Sequence, residues 1–173
     1  SNHFYFQEMD KCIRCGKCVR TCRELVGVNA LQMVQKGNVA YVVPNGGDCM
    51  AETTCVSCGN CVSVCPVGAL MPKSQHEFRE WEVQKIQTTC AYCGVGCQIE
   101  FSVKDGVLVD AKPANGPSNQ GLLCVKGKFA YDFINHKDRL KVPMVRKNGV
   151  LVESTWEEAL GIVAEKILEV KEE

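Results

Sequence analysis

The chain has 173 residues, with 20 Lys and Arg against 20 Asp and Glu and so a formal charge of zero. It has no basic stretch of the kind that tracks a phosphate backbone, which argues against a nucleic-acid partner, and no run of about 20 apolar residues that would span a bilayer. Thirteen cysteines are the anomaly: an odd count at tight C-x-x-C spacing suits metal chemistry better than a disulfide framework, and no charged segment leads into an apolar run at the start, so a cytoplasmic location is expected.

In chain order, the first signal is an internal repeat. Cys12-Ile13-Arg14-Cys15-Gly16-Lys17-Cys18-Val19-Arg20-Thr21-Cys22 aligns with Cys55-Val56-Ser57-Cys58-Gly59-Asn60-Cys61-Val62-Ser63-Val64-Cys65. Each copy reads as a cysteine-rich loop running into a short helix. Gly16 and Gly59 sit where a tight loop requires positive φ. Downstream, Val28-Asn29-Ala30-Leu31 echoes Val67-Gly68-Ala69-Leu70. Between the copies, the β-branched run Val39-Ala40-Tyr41-Val42-Val43 predicts a strand, ended by the turn Pro44-Asn45-Gly46-Gly47.

After Pro72 the composition turns polar, Lys73 to Gln87, and predicts a linker with helical tendency from Phe78 to Ile86. A third cysteine group opens at Cys90. Ile99 to Val103 and Val107 to Val109 predict two strands around a turn at Lys104-Asp105-Gly106. Ala114 to Gly121 is a loop that delivers Cys124. A second hairpin is expected at Asn148-Gly149. Ser154-Thr155-Trp156-Glu157 has the form of a capping box. Trp156, Leu160, Val163, Ile167 and Val170 then share one helical face, which is expected to pack against further chain or back onto its own domain.

The spacing C-x2-C-x2-C-x3-C, twice, is that of two-cluster bacterial ferredoxins, in which the fourth cysteine ligates the other cluster. On that pattern Cys12, Cys15, Cys18 and Cys65 hold one 4Fe–4S cluster, and Cys55, Cys58, Cys61 and Cys22 hold the second. Pro66 follows Cys65 as the pattern requires; Arg23 stands in its place in the first copy. Zinc is the alternative, but it draws pairs of cysteines from two places rather than three from seven residues. Cys90, Cys93, Cys97 and Cys124 form the third set, spaced C-x2-C-x3-C-x26-C. Alone this set also suits zinc; beside two clusters a third cluster is expected. Cys49 fits no set and reads as a small buried residue, with a swapped-ligand role as the alternative.

Thr89-Cys90-Ala91-Tyr92-Cys93-Gly94-Val95-Gly96-Cys97 resembles the opening of molybdopterin (or tungstopterin) oxidoreductases. Leu123-Cys124-Val125-Lys126-Gly127-Lys128-Phe129 is similar to that family's fourth ligand and the segment after it. Asp138-Arg139-Leu140-Lys141-Val142-Pro143-Met144, Arg146 and Trp156-Glu157-Glu158-Ala159-Leu160 follow its pattern in order. The resemblance covers residues 88–173 and is strongest to the catalytic subunit of cytoplasmic formate dehydrogenases, in which a two-cluster ferredoxin-like module precedes this domain, as residues 4–72 do here.

The resemblance implies an α+β fold: a bacterial two-cluster ferredoxin-like module, then a small β-rich 4Fe–4S domain of the molybdopterin oxidoreductase type. The expected segments are 1–75, the ferredoxin-like domain; 76–87, a linker; 88–143, the second cluster domain; and 144–173, a hairpin and helix beginning a pterin-binding domain. The implied function is electron relay through three 4Fe–4S clusters for reversible oxidation of formate to carbon dioxide. The metal-ligating Cys or selenocysteine and the catalytic His of that family are not in this sequence. A Mo- or W-pterin is therefore implied for the full-length protein and not for this chain. Lys126 inherits a candidate role between the third cluster and the pterin; otherwise it is a surface lysine. The implied partners are the remainder of the catalytic subunit and a redox partner subunit, ferredoxin or NAD(P)-linked flavoprotein. The alternatives are a stand-alone three-cluster electron-transfer subunit, or the large iron–sulfur subunit of an NADH dehydrogenase or hydrogenase complex.

Overall fold

The computed structural model describes residues 2–73 and 76–172. The segment boundary expected at residue 75 and the outer limits at residues 1 and 173 lie outside the described residues. The chain divides into two compact units, one ending at Asn135 and the other beginning at His136.

The first unit begins with β1 (Tyr5–Gln7) and the first cysteine loop. Gly16, at φ 71°, turns that loop into α1 (Lys17–Arg20), which continues as a π-helical turn over Thr21–Leu25. β2 (Leu31–Lys36) and β3 (Val39–Pro44) follow as an antiparallel hairpin in register Leu31↔Pro44 to Lys36↔Val39. In the second copy Gly59, at φ 74°, opens α2 (Asn60–Ser63), and β4 (Leu70–Pro72) pairs antiparallel with β1. Both glycines thus adopt the left-handed turn expected of them. β3 lies where its β-branched run predicts it. β2 has no such run: Leu-Gln-Met-Val-Gln-Lys becomes a strand because β3 supplies its pairing, the usual dominance of tertiary context over strand propensity.

The core of this part is small: Tyr5, Ala30, Leu31, Val42, Met50, Cys61, Val62 and Leu70, with Cys12, Cys18, Cys22, Cys55 and Cys65 packed against it. Five cysteines thus serve as core wall, consistent with the thiol's apolar character.

Residues 78–86 depart from the expected helical tendency. Only a 3-10 turn forms, at Glu80–Glu82, and β5 (Gln84–Thr89) follows. β5, β6 (Gln98–Lys104) and β7 (Val107–Pro113) make one antiparallel sheet in that order. Ile86, Thr88 and Thr89 are β-branched, and the edge of β6 was available to pair with them. Glu80 bridges Lys85 on β5 and Lys112 on β7. Hydrogen bonds from those two ammonium groups hold its carboxyl down to about 2. Asp105 and Gly106 turn the β6–β7 hairpin with φ of 51° and 77°, the doubly positive form that matches strand twist.

Ile99, Ala111 and Leu123 form the second, smaller core, with Cys90 and Cys97 against it. The loop from Ala114 to Leu123 is pinned by one buried side chain. The Asn119 amide donates to the carbonyls of Ala114 (2.9 Å), Leu122 (2.9 Å) and Gln98 (3.2 Å). Its Oδ1 accepts from the Gln98 N–H at 3.0 Å. α3 (Val125–Phe129) then starts directly at Cys124.

The second unit holds a hairpin of β8 (Met144–Lys147) and β9 (Val150–Glu153), turned as expected at Asn148 and Gly149, with φ of 51° and 83°. α4 (Trp156–Glu172) follows. Its cap lies one residue later than expected: Thr155 Oγ1 accepts the Glu158 N–H at 3.2 Å, while the Ser154 hydroxyl donates to the Glu158 carboxylate. The face of Trp156, Leu160, Val163, Ile167 and Val170 is exposed. Among the described residues no helix is long and apolar enough to cross a membrane.

Replacing Asn119 by Ala should remove the donor to the Ala114 and Leu122 carbonyls and the acceptor for the Gln98 N–H, while the Gln98 carbonyl keeps the Ala114 N–H. We expect a loss of about 1–3 kcal/mol, read as a lower urea midpoint at unchanged slope. A wild-type midpoint would show that the Cys124 loop is held by something else.

Candidate metal centres

The two repeat copies interlock at their cysteines. One cavity is lined by Cys12, Cys15, Cys18 and Cys65, with Ile13, Val42 and Leu70 among its apolar walls. A second is lined by Cys22, Cys55, Cys58 and Cys61, with Tyr5, Leu31 and Met50. Each cavity thus takes three cysteines from one copy and the fourth from the other. The helical turn after each loop is the cause, because it rotates the last cysteine of each motif away from its own loop. Cys61 of one set also lies close enough to Cys18 of the other for the two thiols to interact. Cys49 is half-buried and lines neither cavity.

Backbone N–H groups turn toward these sulfurs. Arg14 and Ser57 hold matching left-handed conformations, φ 60° and 54°, which direct their N–H groups to Cys12 Sγ and Cys55 Sγ at 3.4 Å each. The Ala30 N–H donates to Cys22 Sγ at 3.2 Å. The fully buried Tyr5 hydroxyl lies 3.8 Å from Cys55 Sγ. Burial raises the Cys65 thiol, but the N–H groups of Val67, Leu70, Ala69 and Gly68 outweigh it and bring the group below its ordinary value.

Elsewhere crowding dominates. Burial pushes Cys18 up to about 11 and Cys61 up to about 12, and neighbouring thiols add to both. Burial also raises Cys58 and Cys97. Thiols so placed lose their protons together only when positive charge sits among them, as a coordinating metal centre provides. Four thiolates on one zinc ion at about 2.3 Å would lie roughly 3.8 Å apart. Thiols that line a cavity, as the first two sets do, have the arrangement that a cluster with one thiolate per iron corner would use.

The third set assembles at one end of the β5–β6–β7 sheet. The Cys90 N–H donates to the Cys97 carbonyl at 2.8 Å, closing the loop that carries Cys93. Cys124 arrives from the Asn119-pinned loop at the start of α3. Cys97 feels Cys90, Cys93 and Cys124 as neighbouring charges, so the four thiols share one neighbourhood; Cys93 and Cys124 are exposed. A side chain at Gly127 would meet Leu123 at 3.3 Å and Cys90 Sγ at 3.8 Å. Glycine therefore lets α3 approach the cysteine loop.

Lys126 is exposed, two residues past Cys124, with Nζ 5.8 Å from the Tyr92 ring centre. Tyr92 itself donates to the Ala130 carbonyl. Lys128, two residues on, is buried instead, and its Nζ donates to the Ala111 carbonyl at 3.0 Å. Burial lowers its pKa against the opposing pull of Asp110. Sequence reasoning named Lys126 and overlooked Tyr5, Asn119 and Lys128, none of which belongs to a spacing motif.

Four family models match the chain. Residues 4–71 match the ferredoxin-like domain of NADH-quinone oxidoreductase subunit 3. Residues 54–100 match a 4Fe-4S dicluster domain, residues 83–136 the molybdopterin oxidoreductase Fe4S4 domain, and residues 139–173 molybdopterin oxidoreductase. A relative in Rhizobium meliloti, named as a subunit of NADH-quinone oxidoreductase, is 40% identical over 87% of this chain and 18% of its own length. A Staphylococcus aureus relative named "Putative formate dehydrogenase" is 31% identical over 98% of this chain and 21% of its own. The chain thus spans about a fifth of the length of the curated relatives it matches.

The interlocked cavities predict the outcome of Cys22→Ser. Iron should fall by about four per chain, and the electron paramagnetic resonance signal of the Cys55, Cys58 and Cys61 site should go with it. Selective loss of the Cys12, Cys15 and Cys18 site would mean that each motif closes on itself.

Proposed function

We propose that the chain is an iron–sulfur electron-transfer region of the molybdopterin oxidoreductase type, and that its three four-cysteine sets hold three 4Fe–4S clusters that relay electrons for a pterin-site oxidoreductase. Cys12, Cys15, Cys18 and Cys65 hold one cluster, Cys55, Cys58, Cys61 and Cys22 the second, and Cys90, Cys93, Cys97 and Cys124 the third. The observation that carries this reading is the interlocking of the first two cavities, the arrangement that two-cluster ferredoxin spacing requires. Bound 4Fe–4S clusters supply one-electron steps, so three in series separate the electron pair of a two-electron oxidation.

The chain's own residues set the conditions for this. Apolar walls of Tyr5, Leu31, Met50, Val42 and Leu70 line the inner sides of the first two cavities, and directed N–H groups stabilise thiolate charge. Lys126, exposed beside the Tyr92 ring, offers a flexible cation next to the third set; we assign it to the anionic groups of the pterin that the longer protein would hold. The parent reaction in this reading is oxidation of formate to carbon dioxide, supported by the family resemblance and by the name of the Staphylococcus relative. The partners are the rest of the catalytic subunit and an electron-accepting subunit, ferredoxin or flavoprotein.

A second reading has its own observations: the 40% identity to the Rhizobium meliloti relative, and the match of residues 4–71 to a ferredoxin-like domain of NADH-quinone oxidoreductase. In it the same relay serves an NADH-quinone oxidoreductase.

Anaerobic preparation should give about twelve iron and twelve sulfide per chain. About eight of each, with zinc at the third set, would overturn the third cluster. In the longer protein formate should reduce the clusters directly, and Lys126→Ala should slow that reduction while leaving iron content unchanged. A longer protein that ignores formate and takes electrons from NADH through a flavin subunit would establish the second reading. Reduction by formate at the wild-type rate in the Ala variant would make Lys126 a surface residue only.

A further inference from the structure

The two repeat copies differ sharply in charge. Residues 11–23 carry Lys11, Arg14, Lys17, Arg20 and Arg23, whereas residues 53–72 carry no charged residue at all. The slot after the helix-opening glycine holds Lys17 in the first copy, exposed, and Asn60 in the second, 4% exposed. Asn60 makes a reciprocal pair with one distant residue: its Nδ2 donates to the Leu123 carbonyl at 3.0 Å, and its Oδ1 accepts the Leu123 N–H at 3.1 Å. Leu123 is the residue before Cys124. Asn60 lies between Cys58 and Cys61 in the chain. One amide group therefore joins the ligand loop of the second set to the ligand-bearing backbone of the third.

The surrounding packing makes this approach close. A Cβ at Gly59 would lie 2.6 Å and 2.7 Å from two ring carbons of Phe129 and 3.1 Å from Lys128 Cγ. Phe129 also stacks on Phe4, with ring centres 5.1 Å apart. The second copy's loop thus lies directly on α3. A charged side chain at residue 60 would have to be desolvated there without a counter-ion, a penalty that an amide with both ends satisfied avoids.

We propose that Asn60 is the positioning residue that fixes the approach of the Cys55–Cys58–Cys61–Cys22 site to the Cys90–Cys93–Cys97–Cys124 site, and that its hydrogen bonds are the link along which electrons pass between them. The inference rests on the relay reading above. The link runs from Cys61, the neighbour of Asn60 in the chain, through the Asn60 amide to the Leu123 peptide and on to Cys124. One electron crosses per event, so the giving site is oxidised by one and the receiving site reduced by one. No bond forms or breaks and no proton moves.

The test uses the full chain, prepared anaerobically with iron and sulfide and then fully reduced. Electron paramagnetic resonance should show spin–spin broadening between the second and third sites in wild type. Asn60→Ala should keep its iron, lose that broadening and slow electron exchange between the two sites by about tenfold or more, the scale of effect that loss of fixed geometry brings. Asn60→Asp keeps the acceptor for the Leu123 N–H and loses the donor, so it should fall between. Wild-type broadening and exchange in Asn60→Ala sink the proposal. So does loss of third-site iron in both variants, which would make Asn60 a folding residue only. A wild-type chain with about eight iron and no third signal would instead overturn the relay reading, and this inference with it.

Discussion

Each of the first two cysteine cavities is closed by a residue that the other repeat copy delivers: Cys65 for the first loop and Cys22 for the second. The rest of this part of the chain depends on that exchange. Eight buried residues, one of them a cysteine, form its core, too few to hold about 70 residues against chain entropy. In the proposed reading, metal coordination by thiols from both copies would join loops some 40 residues apart and make binding energy into folding energy. The short β1–β4 pairing then ties the two ends of the module together. Neither copy can form its site alone, because the cysteine it exports is the one its partner lacks.

Beyond the exchange, the pseudo-symmetry breaks where the two copies face different surroundings. The uncharged second copy lies against α3, through Gly59, Asn60 and Phe129. The cationic first copy keeps Arg14, Lys17 and Arg20 in solvent, and Cys15 is exposed beside them. Charge accordingly follows burial: the neutral copy turns inward to the third cysteine set, and the charged copy turns outward. The second copy is thus packed against α3, whereas the first copy is open to solvent.

The comparisons divide between formate and NADH enzymes for a physical reason. Thiolate spacing, loop turns and directed N–H groups are requirements of the cluster and not of the reaction that feeds it. Residues that would discriminate the substrates belong to a pterin site or a flavin partner, neither of which these cysteine sets specify. Lys126 is the residue on this chain proposed to face such a site, and its exposure beside Tyr92 leaves it free to do so.

The sequence by itself determined what is local. Cysteine spacing grouped the cysteines that the fold brings to two cavities and to one end of a sheet, and Gly16, Gly59, Asp105-Gly106 and Asn148-Gly149 marked turns that all adopt positive φ. These are legible because a tight turn and a chelating loop constrain residues within a few positions of one another. Tertiary structure decided the rest. Residues 31–36 and 84–89 became strands because β3 and β6 offered them edges, against the expectation of helical tendency in the latter. The cap of α4 moved to Thr155, where the N–H of Glu158 could be reached. Asn119 and Asn60 have no motif at all, since their worth lies in backbone groups brought to them by folding, in the case of Asn60 from 63 residues away. A side chain that satisfies a distant peptide leaves no periodic trace, because the pairing exists only once the chain has closed around it.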